Sequence, residues 1–357
     1  MDIWQATKSY EDWMRGCTTL VESHLHHKHK QMRSDVSMFF RGTYYRWAQL
    51  WEYGFSELSH APKVLAVGDL HVYSFGTWRD AEGRMSWGID DFDESYPAAY
   101  TNDLVRLATS LKIAISSSAL RVKFKIGCEA ILEGYETALK SDGCPIVLAE
   151  SDRNLEKLGI AAIEPPQDFW QKLCSCPVAT AVPADAKKAL ARSLPNNAMS
   201  YKLIRREAGM GSLGQQRFVA IARCEGGFVA REAKAMVPSA SVWLSGKTSH
   251  CPSYYQKAIR NSIRSHDPYQ RVIGKWLVRR LSPDSNPIEI SDLPREHDAE
   301  VLLRAMGSEA ANVHLGTAGR RTRILKDLHR RKSDWLRSSA KAMAKTIKQE
   351  WRQYRKD

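Results

Sequence analysis

Four acids crowd into five positions, Asp90, Asp91, Asp93 and Glu94, in the stretch GIDDFDES. Like charges this close repel unless a cation neutralises them, or burial and hydrogen bonds hold one protonated. A hard divalent cation wants oxygen ligands, and Mg²⁺ commonly takes one or two carboxylates together with phosphate oxygens. The acids follow the apolar run RMSWGI and flank Phe92, so the loop hangs from a strand and an aromatic rather than standing as an acidic turn in water. A fifth carboxylate, Asp69, ends another apolar run in VGDLHVYSFG, positions 67–76. A Gly-Asp at the end of a buried strand presents its carboxylate to a ligand. His71 is either an acid–base group or a brace for this loop. Ser74 stands where a stronger oxygen ligand would serve a metal. Asp69 and His71 are therefore the candidate catalytic groups, and Asp91, Asp93 and Ser74 the candidate metal ligands.

A third stretch, GMGSLGQQRFVAIA, carries Gly209, Gly211 and Gly214, with Ser212 between them. Glycines let backbone amides approach phosphates with no Cβ in the way; a tight hairpin turn is the plain alternative. A dinucleotide fingerprint needs a helix directly after such a loop, but RFVAIARCEGGFVA reads as strand. A kinase-type loop lies between two antiparallel strands, with a phosphate-pairing cation on the next one. In FVAREAK that cation is Arg231 or Lys234, which strand alternation puts on opposite faces. Arg41, in FFRG, either braces the acidic loop or contacts phosphate. Arg106 is expected to pair within the site. The histidine-rich stretch HLHHKHK (24–30) stacks His with Lys at helical spacing, a poor ligand set, and reads as a solvated helical face.

The elements that must position these residues follow from periodicity and breakers. Positions 1–60 read as aromatic-rich helices and 61–96 as strands and turns. A helix then starts with Asn102 or Asp103 as its cap, and another runs through RVKFKIGCEAILEGYETALK. Six prolines break 141–200 into short pieces. RFVAIARCEGGFVAREAKAMV reads as a hairpin turning at Glu225-Gly226-Gly227. Pro252–His266 reads as helix, VIGKWLVRRLS and NPIEISDL as a strand pair or strand plus loop, and the remainder as helix. This order fits an α+β, two-lobed protein better than regular βαβ alternation.

Gly-Asp-x-His, Asp-Phe-Asp and Asp103-Leu-x-Arg106-Leu together resemble the catalytic lobe of the kinase-like aminoglycoside and choline phosphotransferases. In that family an Asn stands five residues after the first Asp, where this chain has Ser74. The run FFRG, GDLHVYSFG, DDFDE, DLVRL, GSLG and REA, in that order over roughly 30–320, is similar to the bacterial family called domain of unknown function 2252. There the last motif is Lys-Glu-Ala, so the resemblance aligns Arg231 with the family lysine. Because the glycine loop follows the catalytic Asp, the resemblance implies a two-lobed protein-kinase-like fold, circularly permuted, with mainly helical N- and C-terminal segments. It implies that Asp69 orients or deprotonates an acceptor hydroxyl, and that Asp91, with Asp93 and Ser74, holds Mg²⁺ against ATP. Gly209, Gly211, Ser212 and Gly214 would cover the phosphates, and Arg231 or Lys234 would pair with them. The segment SYYQKAIRNSIRSH holds no Glu to orient that cation.

The expected domains are a catalytic-lobe core (1–140), a connector (141–200), a nucleotide-covering lobe (201–295) and basic C-terminal helices (296–357). The chain has 357 residues, 43% hydrophobic and 26% charged, as in ordinary soluble proteins. No apolar run approaches the roughly 20 residues of a membrane span. The N-terminus lacks a signal-peptide pattern, and seven unpaired-looking Cys fit a cytoplasmic location. Much of the +13 net charge lies in the last 38 residues, whose apolar positions recur at helical spacing. That tail is a solvated basic face or a surface for an acidic or nucleic-acid partner. The function expected is a phosphotransferase using ATP and Mg²⁺ on an unknown small-molecule or protein acceptor. The alternatives are a catalytically impaired pseudokinase-type binding or regulatory protein, and a basic nucleic-acid-associated protein.

Overall fold

Apolar residues at helical spacing through the first sixty positions fold in the computed structural model as α1 (Ile3–Cys17), α2 (Glu22–Ser34), α3 (Val36–Gly42), α4 (Tyr44–Gly54) and α5 (Ser56–Ser59). The structure describes residues 1–117, 120–151, 153–161, 163–198, 200–246, 253–286 and 296–356. Strands β1 (Lys63–Ala66), β2 (Phe75–Arg79), β3 (Met85–Ile89) and β4 (Tyr96–Ala99) come next, then α6 (Tyr100–Ser116) and α7 (Phe124–Lys140). The supposed connector holds β5 (Ile146–Val147), α8 (Arg153–Ala161), α9 (Pro166–Ser175) and α10 (Ala184–Ala191). Beyond it lie β6 (Tyr201–Arg205), β7 (Arg217–Cys224), β8 (Gly227–Ala235), α11 (Ala240–Leu244), α12 (Tyr255–Asn261), β9 (Arg271–Ile273) and β10 (Trp276–Leu281). The chain closes with α13 (Glu296–Leu315), α14 (Arg321–Arg330) and α15 (Trp335–Tyr354).

Among the described residues this is a mixed α+β fold with three antiparallel sheets, ordered β1-β4, β2-β3-β5 and β6-β7-β8-β10-β9. The five-stranded sheet shows how alternation builds the site. On one face Ile221, Ala230 and Leu281 align across β7, β8 and β10 and pack with Leu173 of α9. Two and four residues along, the same face carries Glu232 beside Arg279, and Lys234 beside Arg217. The opposite face, with Phe218, Ala233 and Val278, packs against Ala186, Ala189 and Leu190 of α10. Proline breaks therefore do not make 141–200 a bare linker: α9 and α10 cover this sheet. A larger core joins α1, α3, α4, α6, α7, α13 and α15 around β1. Helices α14 and α15 bury Ile324, Leu336, Met343 and Ile347 and leave Arg323, Lys326, Lys341, Lys345 and Arg352 exposed.

Several boundaries differ from expectation. Helix α6 starts three to four residues early, with Ala99 at its N-cap, because Asp103 is drawn inward to receive backbone N–H groups of the 67–68 turn. Helix α12 ends at Asn261, where Ser262 turns extended. VIGKWLVRRLS forms a hairpin by itself, β9–β10, with Gly274 at a φ of 60°. In NPIEISDL, 287–293 lie outside the described residues, as do 118–119 and 247–252. No described helix is long and apolar enough to cross a membrane.

Candidate functional site

Strand β1 runs into Gly68, whose φ of 85° places it in the left-handed region and whose missing Cβ leaves room for the Glu94 carbonyl. The N–H groups of Val67 and Gly68 donate to the buried Asp103 carboxylate at 2.7 and 3.0 Å. His314 Nε2 donates to the same carboxylate at 3.0 Å, and its Nδ1 lies 2.8 Å from the Tyr135 hydroxyl. This chain of buried partners sets the direction of Asp69. Arg106 donates to Asp69 Oδ1 through Nε, at 2.8 Å, and through Nη2. Its guanidinium is fully buried against Phe40, Trp47 and Tyr44, 4.0–5.0 Å from their ring centres. Asp69 Oδ2 makes no hydrogen bond among the described residues. Burial raises the pKa of Asp69, with Arg106 opposing it.

Ser74 and His71 brace this loop. The Ser74 hydroxyl donates to the Asp69 carbonyl at 3.1 Å, accepts from His71 N–H at 3.0 Å and lies 3.0 Å from His71 Nδ1. Its proton and one lone pair are engaged within the loop, which leaves a single lone pair for a metal. His71 Nδ1 also accepts from Tyr73 N–H at 3.2 Å. Burial first, then the Arg41 and Arg106 charges, push its pKa well down. The hydrogen bonds of His71 to Tyr73 and Ser74 are those of a brace for the loop.

The acidic loop follows β3, held by fully buried Phe92. Lys234 Nζ donates to Asp93 Oδ2 and lies 3.7 Å from Asp91 Oδ1. Asp91 Oδ1 also accepts from Asp93 N–H at 3.1 Å. Asp93 Oδ1 is buried with no hydrogen-bond partner among the described residues. Glu94 accepts the Ala240 N–H at 2.7 Å; burial, with Asp69 and Asp93 adding to it, pushes its pKa up to about 8. The folded state thus binds a proton here that the unfolded chain has lost, so this stability is present below the ordinary Glu pKa of about 4.5 and is lost as pH rises through about 8. Glu94→Gln should flatten the decline in urea-unfolding free energy between these limits by about 1–3 kcal/mol. A wild-type slope left unchanged in the variant contradicts this. Asp90, raised to about 6, and Glu309, raised to about 7, act in the same direction and leave a residual slope.

The glycine loop joins β6 to β7. Gly209 and Gly214 have φ of 76° and 100°, and Gly211 lies at the tip, where an added Cβ would stand 3.6 Å from Asp69 Oδ2. The Ser212 hydroxyl accepts from Arg217 Nη2 at 2.6 Å. Asp69, Ser74, Asp91, Asp93, the glycine loop and Lys234 thus line one cleft, with a cavity volume of about 340 Å³. That volume falls within the roughly 300–1,000 Å³ of small-molecule sites. Arg41 lines it too, its guanidinium 5.0 Å from the Tyr73 ring centre.

Arg231 is a correction. It lies on the opposite face of β8, buried, donating to the Ser193 carbonyl at 2.9 Å and stacked 4.0 Å over Tyr269. Alternation gives the reason: odd positions of β8 face α10, even positions face α9 and, at Lys234, the cleft. Asp93 and Asp91 of the acidic loop hold Lys234. Sequence reasoning missed Glu232, Arg217 and Arg279, although the same alternation places them beside Lys234. It also missed Lys28, which lines the cleft from the stretch read as a solvated helix face.

Among the described residues no three His, Cys, Asp or Glu side chains gather into a metal cage. The orphaned Asp93 Oδ1 and the half-exposed Asp91 carboxylate fit a cation that takes its remaining ligands from a bound phosphate. Residues 20–156 match a family model described as an uncharacterized protein conserved in bacteria (DUF2252). The matched span contains FFRG, GDLHVYSFG, DDFDE and DLVRL; the glycine loop and β8 lie beyond it. No curated protein and no solved structure matches the chain.

Proposed function

We propose that the cleft binds ATP with Mg²⁺ and passes the terminal phosphoryl group to an acceptor hydroxyl, in a kinase-like arrangement whose motifs run in circularly permuted order. The observation that carries this reading is the convergence of three distant stretches: Lys234 pairs with Asp93 beside Asp91, while Gly211 lies against Asp69. Phosphoryl transfer asks mainly for positioning and charge neutralisation. Lys234 would pair with phosphate oxygens, and backbone amides of 209–214 would cover them. Mg²⁺ on Asp91 and Asp93 would supply further neutralisation of the phosphates. Asp69 Oδ2, held by Arg106 through the other oxygen, takes the acceptor hydroxyl proton as the new P–O bond forms. The bond between the γ-phosphorus and the bridging oxygen breaks, and ADP leaves with that electron pair.

A thermal-shift titration tests this. ATP with Mg²⁺ at about 100 times its Kd should add about 2.7 kcal/mol of stability, a rise of several degrees in Tm, and Lys234→Met should lose most of it. No shift of the wild type with any nucleotide–metal pair would sink the reading. A second reading, nucleotide binding without transfer, is favoured by one observation: the Ser74 hydroxyl commits its proton and one lone pair to its own loop. It predicts a Tm shift with no ADP formed.

A further inference from the structure

We propose that Lys28 holds the terminal phosphate of the bound ligand beneath the tip of the glycine loop, a binding role that rests on the phosphate reading of the cleft. The first half of helix α2 lies along this loop. Val21 N–H donates to the Gly214 carbonyl at 2.7 Å, Leu20 forms a β-bridge with Gln215, and Leu25 packs against Gly214. His27 Nδ1 lies 2.5 Å from Glu207 Oε1. Lys28 Nζ donates to the Gly211 carbonyl at 3.0 Å.

Lys28 is the buried charged member of this set, 4% exposed. The Gly211 carbonyl is its one hydrogen bond among the described residues, and no described carboxylate lies within ion-pair distance of it. An ammonium has three donors, so two remain without a protein acceptor. Burying a charge in this way is costly unless a counter-ion arrives. Four other cleft cations have carboxylate partners: Lys234 has Asp93, and Arg206, Arg217 and Arg279 share Glu232. Burial lowers the Lys28 pKa, with only the more distant Glu11, Glu94 and Asp69 opposing. Gly211 ties the geometry together: its carbonyl receives Lys28, and its α-carbon faces Asp69 Oδ2. A group beside Asp69 under this tip is the group being transferred, and its negative oxygens are the partner that Lys28 lacks.

Calorimetric titration of the full chain with Mg²⁺-tripolyphosphate, Mg²⁺-ADP and a non-hydrolysable Mg²⁺-ATP analogue tests this. Lys28→Met should lose about tenfold or more affinity for tripolyphosphate and the ATP analogue, from one lost charge-assisted contact. Its ADP affinity should stay near that of the wild type, and Lys28→Arg should keep part of the terminal-phosphate increment. Without ligand, Lys28→Met should melt no lower than the wild type, because it removes a buried unpaired charge; a mere brace for Gly211 would melt lower. Unchanged tripolyphosphate and ATP-analogue binding, or an equal loss for ADP, overturns the proposal. If the wild type binds tripolyphosphate but no nucleotide, the ATP reading falls and the tripolyphosphate comparison still decides Lys28. If it binds neither, both fall.

Discussion

Glu232→Gln lowers the unfolding free energy by about 3–5 kcal/mol, the cost of removing one partner from a buried ionic cluster. Glu232 is fully buried and accepts from Arg217 Nη1 at 2.8 Å and Arg279 Nε at 2.9 Å on Oε1, and from Arg206 Nη1 at 2.8 Å on Oε2. Burial alone would raise its pKa. The three guanidiniums outweigh burial and hold it well below the usual carboxylate range. Glutamine keeps the shape but cancels the charge, so three cations face one another around an amide that can donate only wrongly. Urea unfolding should show the midpoint falling with an unchanged slope; a midpoint within a few tenths of a molar of the wild type contradicts the argument. The pH sign follows from the depressed pKa. The Glu232 contribution is present above its unfolded value, and is lost as pH falls below about 4.5 toward the folded value. The wild type should therefore lose stability in acid more steeply than the variant.

The cluster also shows what was legible from sequence and what was not. Alternation in RFVAIARC and GFVAREAKA sufficed to place the hairpin and to separate Arg231 from Lys234. The choice between them needed to know which face met α10, and α10 sits in a stretch whose prolines read as linker. Asp69, Asp91 and Asp93 were marked by local chemistry: carboxylates ending apolar runs. Lys28 carried no such mark. On the helix it sits among polar neighbours, and HLHHKHK is indistinguishable from a solvated face until the glycine loop, more than 180 residues away, lies against it. The link of His314 to Asp103 likewise spans 211 residues. Local patterning exposes residues that act from strands and turns; it is silent where a helix face acquires its role through a distant partner.

Asp69→Asn tests the chemistry at its centre. Loss of a positioned general base typically removes about 10²–10⁴ of the rate, and turnover here should fall within that range. Affinity for Mg²⁺-ATP should change by less than about threefold, because Lys234, Asp93 and the glycine loop keep their contacts. The substitution also weakens a buried pair, since Arg106 then faces an amide. Melting should therefore fall, and single-turnover rates must be read well below the variant's Tm, where the chain is folded. The pH profile distinguishes the base from a structural role. In the wild type the rate should rise with pH through the raised pKa of Asp69, and the residual rate of the variant should lack that limb. A variant that is folded, binds ATP and turns over like the wild type removes Asp69 from the reaction. A variant that loses ATP binding in parallel with rate would make it a binding residue instead, because only an interaction formed in the transition state lowers turnover while leaving the ground-state complex intact.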